Sequence, residues 1–244
     1  MNTPLKIRCL PLLALCLCAP LIAGCTTQQI GSSLGMLGSD SSASDDAPSE
    51  SSTRTLYLTI VEGLLDQGRY RAALGYLNQY AVAENTNPRY DMLRGEALLG
   101  VQQYDDAQKS FSKLTDTDLA GVGYSGLGRV DAAKGNWDAA RDNFVKAVAA
   151  QPSDPDYLNN LGYAEIQVGG KESLSKALFN LRQAQELDPN SASIRNNLVL
   201  ALTLSGDDGE AQRILQTIPV PAERIAVRKF AANWAQEKQK EGVE

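Results

Sequence analysis

From about residue 54 onward, apolar residues recur at helical spacing, and the pattern itself repeats. In "YRAALGYL", "YDDAQKSF", "WDAARDNF", "LSKALFNL" and "GEAQRIL" the alanines Ala73, Ala107, Ala140, Ala177 and Ala211 are separated by 34, 33, 37 and 34 residues. Four residues after each comes a large apolar residue: Leu77, Phe111, Phe144, Leu181 and Leu215. Three further on stands a second contact residue: Tyr80, Leu114, Ala147, Ala184 and Ile218. Residues at i, i+4 and i+7 share one face of an α-helix, so each run predicts an amphipathic helix. Five residues before the alanines stand Gly68, Gly135, Gly206 and, allowing for an insertion, Gly169, with Gln102 in that place in the second unit. An aromatic follows two residues later in three units, at Tyr70, Tyr104 and Trp137, and Pro88, Pro152 and Pro189 punctuate unit ends. The expectation is five helix pairs across residues 54–220, each pair closed by a tight turn.

A helix-turn-helix unit of this length and residue pattern resembles the tetratricopeptide repeat. The implied fold is all-α: a solenoid of about five repeats over residues 54–220, with residues 221–244 forming a C-terminal capping helix and tail. In that cap, "PAERIAVRKFAANWAQEKQK", Ile225, Phe230 and Trp234 are expected to cover the last repeat and the charged side to face water. Two irregularities qualify the pattern. Arg94 stands where the third and fourth units have Leu127-Gly128 and Leu161-Gly162, which puts the second unit's helix pairing in question, and three extra residues around "GGKESLSK" are expected to lengthen a turn.

Upstream the composition changes twice. Lys6 and Arg8 precede the uncharged run "CLPLLALCLCAPLIAG", the layout of a secretory signal, and the run is too short and proline-broken for a spanning helix. "LIAGC" places small residues directly before Cys25, as in a bacterial lipobox. That resemblance implies a signal peptide over residues 1–24 and a diacylglycerol plus an N-acyl chain (palmitate) on Cys25. Two or more chains give stable anchoring. Thr26, rather than Asp, follows the cysteine and points to the periplasmic face of the outer membrane. Residues 25–53, rich in Ser, Gly and Asp, carry almost nothing that fills a core and read as a disordered tether. As a flexible coil the tether would span roughly 30 Å r.m.s..

Charge and chemistry narrow the function. Loss of Lys6 and Arg8 would leave 21 basic residues from 23 against 29 acids, a net charge of −8, which disfavours nucleic acid. The four cysteines are Cys9, Cys16, Cys18 and Cys25, so a processed, acylated chain would have neither free thiol nor disulfide. Histidine is absent, which excludes histidine-based nucleophile activation and histidine-ligated zinc. "GVGYSG" matches a dinucleotide-binding pattern, but the helical "AQKSFSKL" precedes it where a strand is required. "SFSK" and "SLSK" match S-x-x-K without the accompanying motifs. No cofactor, metal, small-molecule substrate or enzymatic activity is expected.

Binding on the concave face lined by the first helix of each pair is the expectation instead. By repeat register that face should present Leu58, Glu62, Leu65, Met92, Glu96, Leu99, Ser125, Gly126, Arg129, Asn159, Asn160, Tyr163, Ile166, Asn196, Asn197, Leu200 and Thr203. The pairs Asn159-Asn160 and Asn196-Asn197 admit two readings, a donor-acceptor ladder for a peptide backbone or solvated helix positions. In "GVGYSGLG" the repeat explains Gly128 as a helix-contact site and Gly121 as part of a turn. It offers no packing partner for Gly123 or Gly126, so this helix is expected to be the least stable, with Gly126 towards the groove.

The lipobox, serine-rich tether, five repeats and the runs "YLNNLGYAEIQVGG" and "SIRNNLVLALTLSGDDGEAQ" together resemble the TadD lipoproteins of tight adherence (Flp) pilus systems. That resemblance implies a pilotin: the lipid carries a secretin subunit to the outer membrane while the repeats hold part of it. The pilotin of type IV pili, also built of tetratricopeptide repeats, is related in architecture. The alternative is an adaptor that scaffolds peptidoglycan enzymes or outer-membrane protein assembly.

Overall fold

The computed structural model describes residues 50–83 and 87–241. The residues read as a signal peptide, Cys25 and most of those read as a tether lie outside them. Eleven helices follow in the described residues, with no strand: α1 (Glu50–Asp66), α2 (Tyr70–Ala83), α3 (Pro88–Gly100), α4 (Tyr104–Ser112), α5 (Ala120–Ala133), α6 (Trp137–Ala150), α7 (Pro155–Val168), α8 (Lys171–Leu187), α9 (Ala192–Ser205), α10 (Asp208–Gln216) and α11 (Pro221–Glu241). They form the five pairs and the capping helix that the period predicts. α1 starts inside the stretch read as tether, so the end of that stretch is helical.

Each pair closes at the expected turn residue. Gly68, Gly135 and Gly206 have φ of 68°, 81° and 79°, and Gln102, at φ 64°, is the one non-glycine residue with positive φ among the described residues. The amides of Arg69, Gln103, Asn136 and Asp207 each donate to the carbonyl five residues back, closing the first-helix ends in Schellman fashion. The fourth pair differs. Its three extra residues add a turn to the front of α8 instead of lengthening the loop: Ala177 is the seventh residue of α8, whereas the equivalent alanines are fourth in their helices. Gly169 and Gly170, with φ of 78° and 85° and extended ψ, reverse the chain. Two consecutive residues in glycine-only conformations make a short turn, and "KESLSK" then continues as helix.

Side chains from second helices fit against small residues on first helices. A Cβ on Gly128 would lie 2.6 Å from the Phe144 ring, one on Gly162 2.6 Å from Leu181, and one on Gly95 2.7 Å from Phe111. Gly95 thus keeps the small contact site of the second unit, and α3 and α4 pair like the others despite Arg94.

Gly123 and Gly126 on α5 do have packing partners, contrary to the expectation that the repeat offers them none. A Cβ on Gly123 would meet Leu114 at 2.9 Å, one on Gly121 the Tyr157 ring at 3.0 Å, and one on Gly126 would fall on the Phe111 ring. Phe111 is fully buried and clasped between Gly95 and Gly126. The glycines are where neighbours from α4, α6 and α7 come closest, and α5 and α6 make the most extensive helix contact among the described residues.

The cap is rotated from its expected orientation. Ile225 and Phe230 are 56% and 60% exposed, while Ala231 and Ala235 are buried and Val227 and Trp234 pack against the last core cluster. Polar anchors set the rotation: Arg195 pairs with Glu223 at 3.0 Å and Arg224 donates to the carbonyl of Ile218 at 2.9 Å. They turn the 224-227-231-234 stripe inward and leave the larger apolar residues outside.

Candidate functional site

Successive first helices α1, α3, α5, α7, α9 and α11 lie side by side, and polar ties cross this layer. Arg89 on α3 donates to both carboxylate oxygens of Glu62 on α1 at 2.8 and 2.7 Å. Arg129 on α5 grips Glu96 on α3 the same way, at 2.6 and 3.0 Å. The Asn197 amide on α9 donates to Asn159 Oδ1 on α7 at 2.9 Å, and Arg195 joins α9 to α11. Such bidentate or amide pairs fix both spacing and register. Among the described residues no tie of this kind joins α5 to α7, whose contact is the thinnest of the series.

At that break the layer opens into a recess of about 390 Å³. Six of the expected groove residues meet there: Glu96, Ser125, Gly126, Arg129, Asn159 and Asn160. Gly126 contributes backbone only, because its side-chain direction points at Phe111 and away from the opening. Asn159 is buried and already engaged, accepting from Asn197 and donating to Ser193 Oγ at 3.4 Å. The asparagines therefore act first as a tie between α7 and α9, leaving Asn160 as the amide at the recess.

The other expected residues lie elsewhere. Leu58, Ile166 and Leu200 are core residues, 3%, 3% and 1% exposed, and do not line an open face. Leu65, Met92 and Leu99 are half-buried against the N-terminal core clusters. Tyr163 sets its ring edge-on to Trp137 at 5.8 Å. Thr203 donates to its own helix at the Val199 carbonyl, and Glu62 is held by Arg89. Asn196 is half-buried with its Oδ1 unpaired.

Four lining residues had not been singled out: Val122, Asp156, Tyr157 and Ser193. The signal for three of them was present, since Val122, Asp156 and Ser193 stand four residues before Gly126, Asn160 and Asn197, one turn back on the same face. They come into place because α7 and α9 start at firm caps. Asp154 accepts from the amides of Asp156 and Tyr157 with Pro155 in the first turn, and Ser191 accepts from Ile194. Burial, reinforced by Asp154 and Asp156, holds the Tyr157 hydroxyl above its ordinary pKa. The recess thus offers hydroxyls, one amide, the Asp156 carboxylate and an Arg-Glu pair, groups suited to hydrogen-bonding a peptide. Among the described residues no cluster of His, Cys, Asp or Glu is placed to hold a metal ion, and no helix is long and apolar enough to cross a membrane.

Comparison with known proteins agrees with the repeat geometry. Residues 58–118 and 125–169 match the tetratricopeptide repeat family. The TPR repeat-containing protein PA4299 of Pseudomonas aeruginosa is 26% identical over 231 residues, covering 91% of this chain and 85% of that protein. Among solved structures, pilF of Pseudomonas aeruginosa superposes with a TM-score of 0.60 at 14% identity, over 77% of this chain and 90% of that one. The thermophilic TPR protein TTC0263 of Thermus thermophilus gives 0.59 at 19%, over 73% and 98%. At those identities the structural likeness is one of fold. With five turn-closed helix pairs at the repeat spacing and two segments matched to the family, the helical region of this chain is a tetratricopeptide-repeat domain, a scaffold for binding other proteins.

Proposed function

We propose that this chain is a pilotin of a tight adherence (Flp) pilus: a lipoprotein anchored through Cys25 to the periplasmic face of the outer membrane, whose repeats hold a secretin subunit and help it reach or assemble in that membrane. The observation that carries the reading is where the TadD-like runs fall. "YLNNLGYAEIQVGG", residues 157–170, and "SIRNNLVLALTLSGDDGEAQ", residues 193–212, take in most of α7 and α9 and bring Tyr157, Asn159, Asn160 and Ser193 to the recess. These late runs, the second of which carries the R-N-N-L…L-A-L-T-L-S-G stretch that favours this family, thus contribute residues to the opening, and "LIAGC" resembles the lipobox that would supply the membrane attachment.

The division of labour is physical. Two or three acyl chains, at about 0.8 kcal/mol for each buried CH₂, retain the protein at the membrane. The tether lets the repeats meet their client at a distance from the surface, and raises the client's effective concentration there. The test is Cys25→Ser in cells that express the secretin. The expected result is loss of the protein from the outer-membrane fraction together with loss of assembled secretin from it, while the mutant still co-purifies with the secretin. Secretin that reaches the outer membrane normally with the unacylated protein would refute the pilotin role.

A further inference from the structure

Two buried hydroxyls at the recess between α5 and α7 lack partners. Ser125 is 7% exposed and Tyr157 8%, both line the opening, and neither hydroxyl makes a hydrogen bond among the described residues. Elsewhere a helical hydroxyl is satisfied by its own backbone: Ser110, Ser175 and Thr203 each donate to the carbonyl four residues back. Ser125 makes no such bond to Gly121, so its oxygen is left to the recess. Gly121 also makes room for the second hydroxyl. A Cβ there would lie 3.4 Å from the Tyr157 oxygen, which puts that oxygen against α5 one helical turn from Ser125. A buried hydroxyl without a partner costs stability, and a bound group that donates to it recovers the loss.

The charges around these hydroxyls favour a cation. Arg129, the one basic lining residue, is held by both carboxylate oxygens of Glu96, so that pair cancels. Asp156, in the first turn of α7, is in no ion pair and its carboxylate makes no hydrogen bond among the described residues. The amides of Asp156 and Tyr157 are already capped by Asp154, so the positive end of α7 does not offset the carboxylate, and the recess is net negative. Tyr157 senses the same field, since Asp154 and Asp156 add to the burial that raises its pKa. An anionic segment would meet Asp156 with Arg129 already engaged, and an apolar side chain would leave the two hydroxyls unsatisfied. A lysine ammonium is a compact charge with three donors. Asp156, Ser125 and Tyr157 present three acceptors to it, and none of the lining residues is a lysine that could take its place.

We propose that the recess takes a lysine side chain of the partner segment, its ammonium held by the Asp156 carboxylate and the Ser125 and Tyr157 hydroxyls; the proposal rests on the reading that the repeats hold their client at this opening. The test uses the purified chain and surface-immobilised pools of capped nine-residue peptides, with binding followed by interferometry. The central residue is fixed as lysine, norleucine or glutamate, and the flanking positions are randomised among Ala, Ser, Leu and Asn. The lysine pool should bind at least about tenfold more tightly than either other pool, about 1.4 kcal/mol. Ser125→Ala and Asp156→Asn should each weaken binding of the lysine pool at least about tenfold, and Ser125→Ala should not lower the melting temperature, because the hydroxyl it removes has no partner in the free chain. Asp208→Asn, the same change in the first turn of α10, and Lys171→Glu at the front of α8 lie outside the recess and should leave binding unaltered. Equal binding of the norleucine pool, preference for the glutamate pool, no binding of the lysine pool, or wild-type binding by Ser125→Ala or Asp156→Asn would overturn the proposal. No secretin is present in this assay, so its failure leaves the Cys25→Ser test of the pilotin role standing, and failure of that test leaves a lysine preference measured here intact.

Discussion

Gly126→Ala and Gly75→Ala are the same substitution in two helix interiors, and the structure requires opposite outcomes. At Gly75 on α2 nothing lies within 4 Å of an added methyl group. The change should raise stability by the helix-propensity difference, about 1 kcal/mol. At Gly126 the methyl would land on the ring of Phe111, which is fully buried and already backed by Gly95. Forcing an extra methyl into a packed core costs about 1–3 kcal/mol. Set against the same propensity gain of about 1 kcal/mol, the net is a loss of up to about 2 kcal/mol. For a domain of this size 1 kcal/mol moves the melting temperature by about 2–4 °C. The two variants should therefore shift in opposite directions when unfolding is followed by circular dichroism. Phe111→Leu supplies the control: in that background Gly126→Ala should be less harmful, with a coupling energy of about 0.5 kcal/mol or more. If Gly126→Ala stabilises as much as Gly75→Ala, Phe111 is not clasped as described, and α5 is merely a weak helix.

Two further outcomes follow from local geometry. Gln102 is exposed and sits at φ 64°, where a side chain costs about 1–2 kcal/mol. Gln102→Gly should raise the melting temperature by about 2–4 °C, and a fall would show that the residue makes a contact beyond the turn. The Tyr157 hydroxyl, held above its ordinary 10.0 chiefly by burial, contributes stability that is complete below pH 10. That contribution is lost as pH rises towards the folded-state value, because the unfolded chain ionises first. Tyr157→Phe should flatten this alkaline decline in a pH series of melting curves, and an unchanged decline would assign it to other groups.

The repeat was legible because its signals are local. The alanine period, the turn residues and even the odd one out at Gln102 are set by backbone conformation and one helix face, and each appears where the spacing puts it. What could not be read depended on partners distant in sequence. Gly126 looked unexplained because its neighbour, Phe111, comes from the preceding unit. The rotation of α11 was misjudged because Ile225 and Phe230 are more apolar than Ala231 and Ala235, yet the Arg195-Glu223 and Arg224-Ile218 anchors decide which stripe turns inward. Residues 171–173 were read as loop because "GG" suggests a long reversal. A two-glycine turn is enough, and the following residues extend α8. Of the groove residues, those near the start of α7 and the middle of α5 do converge. Leu58, Ile166 and Leu200 sit at the same register but lie inside the core, since a repeat register fixes position along a helix and not the depth of its neighbours.

Whether the recess between α5 and α7 holds the client can be decided by calorimetric titration of the purified repeats with the periplasmic segments of the secretin. Ser193 is exposed at the rim, so Ser193→Trp should fill the opening without disturbing the core. Saturable binding is expected for the wild type, at least about tenfold weaker binding for Ser193→Trp, about 1.4 kcal/mol, and unaltered binding for Lys171→Glu. Binding of the secretin by Ser193→Trp at wild-type strength, with the variant folded, would place the client elsewhere on the molecule and contradict the recess as its site.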